Sequence, residues 1–167
     1  MNPIRHVAQA AIAAAVMAGI GYFSKAPAYD YFPSDHALIK LSLSHAGQRI
    51  EPCRERTAEE LAALRPNMRK KMECARERIP VYVELDLDGA PVFKGASKPS
   101  GLSKDGSSQF YEKVAMPAGV HRLAVRMRDS TRTDGGFDFS FEGDVTLAPL
   151  QSLVVGFRGE SGEFFLR

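Results

Sequence analysis

Apolar and polar residues alternate along most of this chain. Ile39, Leu41 and Leu43 are separated by Lys40, Ser42 and Ser44, the period of a half-buried strand. Val81, Val83, Leu85 and Leu87 repeat the pattern against Tyr82, Glu84, Asp86 and Asp88. Asp88-Gly89 then gives a turn signal, and Val92-Phe93 starts a returning strand. Further runs follow at Phe110 to Val114, at Leu123, Val125 and Met127, and at Phe137, Phe139 and Phe141. Val145 with Leu147, then Leu153, Val155 and Phe157, and finally Phe164 to Leu166 complete the set. Each run has one apolar face, and two such faces must cover one another. The pattern therefore predicts an all-β domain, a β-sandwich of seven or eight strands, with barrel closure as the alternative. No repeat of fixed period is present, so a propeller or solenoid is not expected.

Two stretches depart from alternation. Val7 to Phe23 holds no charged residue; Arg5 and His6 precede it and Lys25 follows. As a helix it spans about 26 Å, near the short limit for crossing a bilayer core. An uncleaved anchor, with Tyr22, Tyr29, Tyr31 and Phe32 at the outer interface, competes with a cleaved signal ending at Ala26-Pro27-Ala28. Pro27 inside that site and the length of the apolar run weigh against cleavage. A helix buried in a soluble domain would need a polar face, and only Gln9 supplies one. The expected organisation is an anchor over residues 1–25, a linker over 26–35 and an exported domain over 36–167. Arg5 ahead of the span places the N-terminus in the cytoplasm and the domain outside, in a bacterial inner membrane with a periplasmic body. Within the span, Ala10, Ala14 and Ala18 recur every four residues, as do Ala11, Ala15 and Gly19. Such small-residue stripes let a second membrane helix approach closely.

The second departure is the segment 53–74. Thr57 followed by Glu60 is a capping box opening a short helix that Pro66 ends, and Cys53 and Cys74 stand at its edges. In an oxidising compartment the pair is expected to form a disulfide. Met68, Met72, His36 and His45 are further soft or borderline ligands that would suit copper delivery, but neither cysteine sits in a C-x-x-C spacing.

Composition narrows the rest. The 167 residues are 44% hydrophobic and carry a formal net charge of +2, which suits one folded domain and argues against a nucleic-acid binder. Arg54 to Arg78 is locally basic. Arg69, Lys70 and Lys71 there, and Arg122, Arg126 and Arg128 on a predicted strand, form a candidate surface for an acidic protein partner or lipid headgroups. Hydrolase, zincin, phosphate-loop and dinucleotide fingerprints are missing, so neither catalytic residues nor a cofactor or metal is assigned. Ser44 and His45 are strand neighbours that point to opposite faces, and His121 opens a strand; neither suits a catalytic base. Asp86 and Asp88 share a face beside the Asp-Gly turn, where solvation accounts for them.

Met116-Pro117-Ala118-Gly119-Val120-His121-Arg122-Leu123-Ala124-Val125 resembles the P-x-G-x-H-x-L-x-V turn and strand of small extracytoplasmic immunoglobulin-like and transthyretin-like sandwiches. Leu147 to Val155 resembles a second such turn, with Leu150 where glycine is commoner. The resemblance implies an immunoglobulin-like β-sandwich and no particular activity. The expected role is a non-catalytic accessory or assembly subunit of an integral membrane complex, of respiratory or other redox type. It would be held by the bilayer and by the subunits it touches. The alternatives are a free periplasmic glycan- or peptide-binding module and a copper-delivery protein.

Overall fold

The structure, a computed structural model, describes residues 3–25 and 32–167. The expectations placed on Ala26-Pro27-Ala28, Tyr29 and Tyr31 lie outside the described residues. The chain divides into two compact units, the second beginning at Asp35.

The first unit contains one helix, α1 (Pro3–Phe23). Its 21 residues are longer than the uncharged run, because the helix takes in Arg5 and His6, and none of its described residues is buried. At 1.5 Å per residue it measures about 31 Å, the thickness of a bilayer core. By length and composition it qualifies as a membrane span, and a signal sequence passes the same test.

The second unit is built of ten strands: β1 (His36–His45), β2 (Arg54–Glu55), β3 (Met72–Glu73), β4 (Val81–Leu87), β5 (Ala90–Ser97), β6 (Ser108–Pro117), β7 (Gly119–Arg128), β8 (Phe139–Leu147), β9 (Ser152–Arg158) and β10 (Glu163–Leu166). A short helix, α2 (Ala58–Ala63), and a 3-10 turn at Pro66–Met68 lie between β2 and β3. Eight strands form two four-stranded sheets, in the orders β10-β9-β1-β6 and β5-β4-β7-β8, while β2 and β3 pair only with each other. β1 runs antiparallel to β6 and parallel to β9. All other pairings within these sheets are antiparallel.

Both sheets turn their apolar faces into one core. Ile39 and Leu41 of β1 and Val155 of β9 join Val81, Val83 and Leu85 of β4 and Leu123, Val125 and Met127 of β7, all without exposed surface. Burying each such side chain contributes about 1.5–3 kcal/mol, which is why the alternation dictates the sheets. Phe137 breaks the pattern expected of it. It precedes β8, and its ring stacks on Tyr82 at 6.3 Å, whereas Phe139 packs against His45 and Phe157. The Asp138 carboxylate takes the backbone N–H groups of Asp129 and Ser130, turning the chain between the two phenylalanines.

The turns follow local chemistry. Asp88 and Gly89 both have positive φ, 52° and 79°, as a two-residue hairpin between twisted strands requires. Leu150 also has positive φ, 61°, in the position where glycine is commoner, and its N–H donates to His36 O at 2.7 Å. At the same end of the domain Ala118 N–H donates to Asp35 O. β1 then carries the chain about 33 Å to the opposite end. There Gln48 N–H donates to Asp129 O, and the segments flanking the insertion gather.

Candidate functional site

The residues Ala10, Ala14 and Ala18, and Ala11, Ala15 and Gly19, all fall within the single unbroken helix α1. A spacing of four residues puts each set along one helix face. Gly19 has no neighbour within 4 Å of where a Cβ would sit.

Cys53 and Cys74 are joined in a disulfide with Cα atoms 4.2 Å apart. The bond closes the insertion on itself. Inside it, Arg54 pairs with β3 through Glu73 and holds Glu60 in a two-pronged contact at 3.0 Å, while Thr57 and Glu60 complete the capping box of α2. No buried core residue lies between Arg49 and Pro80, so the insertion sits outside the apolar core. Arg69 donates to the carbonyls of Leu64 and Ala62, and Lys70 and Lys71 are exposed beside it.

The other half of the expected basic surface lies on β7. Arg122 donates to Glu142 at 2.9 Å, and Arg126 bridges Glu84 and Asp86. Arg128 lies over the Tyr82 ring at 5.2 Å, and Arg126 over Phe137 at 5.4 Å. Burial works against the Glu84 carboxylate, but hydrogen bonds from Tyr82 and Arg126 outweigh it and hold its pKa below the ordinary value. Carboxylates thus balance much of the arginine charge on this face. At its edge, both ring nitrogens of His121 face acceptors: Asp88 at 2.7 Å and the Pro117 carbonyl at 2.9 Å. Donation from both nitrogens is what the protonated ring does, and the Asp88 hydrogen bond raises the His121 pKa.

Two groupings were invisible to local patterning. The first pairs His45 at the end of β1 with Asp129 just past β7, Nε2 to Oδ2 2.6 Å, beside Phe139 and Phe157. The second pairs Arg49 with Arg78. Gly47 permits it, since a Cβ there would collide with the Ile79 carbonyl. Ile79 N–H donates to Gln48 O and Ile50 N–H to Glu77 O, which makes Arg49 and Arg78 a non-hydrogen-bonded antiparallel pair. In that arrangement the side chains stand on the same face at their closest spacing. Arg76, two residues from Arg78, completes a cavity of about 150 Å³ lined by these three arginines and Asp105. Arg49 donates to Ala75 O; Arg78 donates to Asp105 O at 3.1 Å and Gly47 O at 2.8 Å. Asp105 is occupied by Arg76 through Nε and Nη2, at 3.0 and 2.5 Å, and that contact lowers its pKa. The only signal in sequence is Gly47 ahead of Arg49; its bridge partner Arg78 lies 29 residues away.

Among the described residues no cluster of three His, Cys, Asp or Glu side chains is placed to hold a metal ion. No protein-family model matches the chain, and no curated protein or solved structure is significantly similar to it.

Proposed function

We propose that the chain is a single-pass membrane protein whose β domain is exported and serves as a non-catalytic accessory or assembly subunit of a membrane complex. The observation that carries this reading is α1: a bilayer-length apolar helix with no buried residue, joined to a disulfide-bonded domain. Disulfides persist in oxidising compartments, which supports the periplasmic side of an inner membrane, with Arg5 on the cytoplasmic side. The finer fold reading is an immunoglobulin-like sandwich, supported by two stacked sheets between which successive strands repeatedly cross. The small-residue stripes of α1 supply the contact with another helix, and the exposed Arg69, Lys70 and Lys71 supply contact with an acidic partner.

The second reading, a free peptide-binding module, is favoured by a groove of about 670 Å³ between edge strands β5 and β6, where Phe93, Phe110, Tyr111 and Glu112 line it. A copper-delivery role has less support, since the disulfide consumes both thiols.

The test is extraction of the full chain in mild detergents, alongside a variant whose α1 is exchanged for an unrelated Leu-rich span of equal length. A stoichiometric membrane partner present with the native helix and lost with the exchanged one supports the proposal. A mature N-terminus at Tyr29, or a full chain that runs alone in every detergent, overturns it.

A further inference from the structure

Like charges placed directly opposite in an antiparallel pair repel, and Arg49 and Arg78 face each other across an isolated bridge with neither guanidinium in a salt bridge among the described residues. Backbone carbonyls accept from three of their nitrogens without carrying a countercharge, and of the two only Arg78 acts on the Asp105 carboxylate, less strongly than Arg76 does. Arg76 adds a third positive charge, and the one acid of the cavity, Asp105, is turned toward Arg76. The backbone holds this arrangement: Arg78 N–H donates to Lys104 O, Ile79 N–H to Gln48 O, and Gly106 is packed against Ser100. Guanidinium groups brought to one cavity offer convergent donors to a tetrahedral oxyanion, the geometry in which arginine outperforms lysine.

We propose that the cavity formed by Arg49, Arg76 and Arg78 binds a phosphate or sulfate group, whose negative charge relieves the repulsion between the opposed arginines. The site lies at the end of β1 remote from Asp35, about 33 Å along the strand. The inference does not depend on how α1 is anchored, so it stands or falls apart from the proposed subunit role.

The experiment uses the full chain in phosphatidylcholine nanodiscs. One arm titrates inorganic phosphate against chloride at equal ionic strength, and the other adds vesicles containing phosphatidic acid. In the phosphate arm the melting temperature is expected to rise by about 3–6 °C per decade above the dissociation constant. Arg49→Gln, which keeps a donor for Ala75 O, is expected to abolish that rise while melting no lower than the native protein in chloride. Asp105→Asn is expected to tighten phosphate binding about tenfold by removing the competing negative charge. A response confined to the vesicle arm and lost in Arg49→Gln assigns the group to a lipid. Absence of response in both arms, or a full response retained in Arg49→Gln, overturns the proposal.

Discussion

Reducing the Cys53–Cys74 bond should loosen one part of the molecule and leave another untouched. The cysteines are 21 residues apart, and closing a loop of that length removes unfolded-chain entropy worth about 3 kcal/mol. How that free energy is spread depends on what the loop touches. No core residue comes from the insertion, whose internal structure consists of the two-residue β2–β3 pair, α2 and salt bridges at the surface. Its opening is therefore local, and the disulfide term acts on that opening alone. At about 1.4 kcal/mol per decade, reduction multiplies the open fraction about a hundredfold. Amide hydrogen exchange on the full chain, with and without a phosphine reductant, reads this directly. The N–H groups of Arg56, Leu61 and Leu64, which donate to Lys71 O, Thr57 O and Leu61 O, are expected to exchange about a hundredfold faster. Amides of β1, β4 and β7 are expected to change little. If the core strands accelerate as much as the insertion, the insertion is part of the global fold and the reasoning is wrong.

Three further outcomes are expected. Leu85→Ala empties a fully buried position in β4 and should cost about 2–5 kcal/mol, read by urea unfolding. Gly47→Ala drives a Cβ into the Ile79 carbonyl and should cost about 1–3 kcal/mol while separating Arg49 from Arg78, visible as lost nuclear Overhauser contacts between residues 48 and 79. His121 should titrate by NMR with a midpoint above its ordinary 6.5, and Asp88→Asn should bring that midpoint down. Because folding raises the His121 pKa, its contribution to stability is complete below about pH 6.5 and is lost as pH rises through the folded value. Asp88, lowered from 3.8 chiefly by the same hydrogen bond, contributes above that pH and loses its contribution as pH falls through the lowered value.

Alternation in the sequence located β1, β4, β7, β8 and β9 because burial on one face leaves a period of two that nothing else imitates. Asp88-Gly89 and Thr57 with Glu60 marked a turn and a helix start for equally local reasons: positive φ in the one, unsatisfied N–H groups in the other. What local patterning could not carry was pairing. That β1 sits beside β9 in parallel depends on residues more than a hundred positions apart. Glu112 occupies the register opposite buried Leu41 yet remains exposed, because β6 is an edge strand beside an open groove. The basic character of β7 was legible, but Glu84, Asp86 and Glu142, which balance Arg126 and Arg122, come from neighbouring strands. Arg49 and His45 acquire chemical meaning only through Arg78 and Asp129, and no spacing rule links either pair.

The place of β1 has a consequence for how the polypeptide is made. It is an inner strand whose neighbours are β6, about two thirds of the way along the chain, and β9, near its end. A ribosome that has released residues 36–45 must still deliver more than a hundred others before both flanks of that strand are covered. Through that interval an apolar ribbon of Ile39, Leu41 and Leu43 waits without its neighbours, so a chaperone that shields nascent strands should associate with this segment first and leave it last.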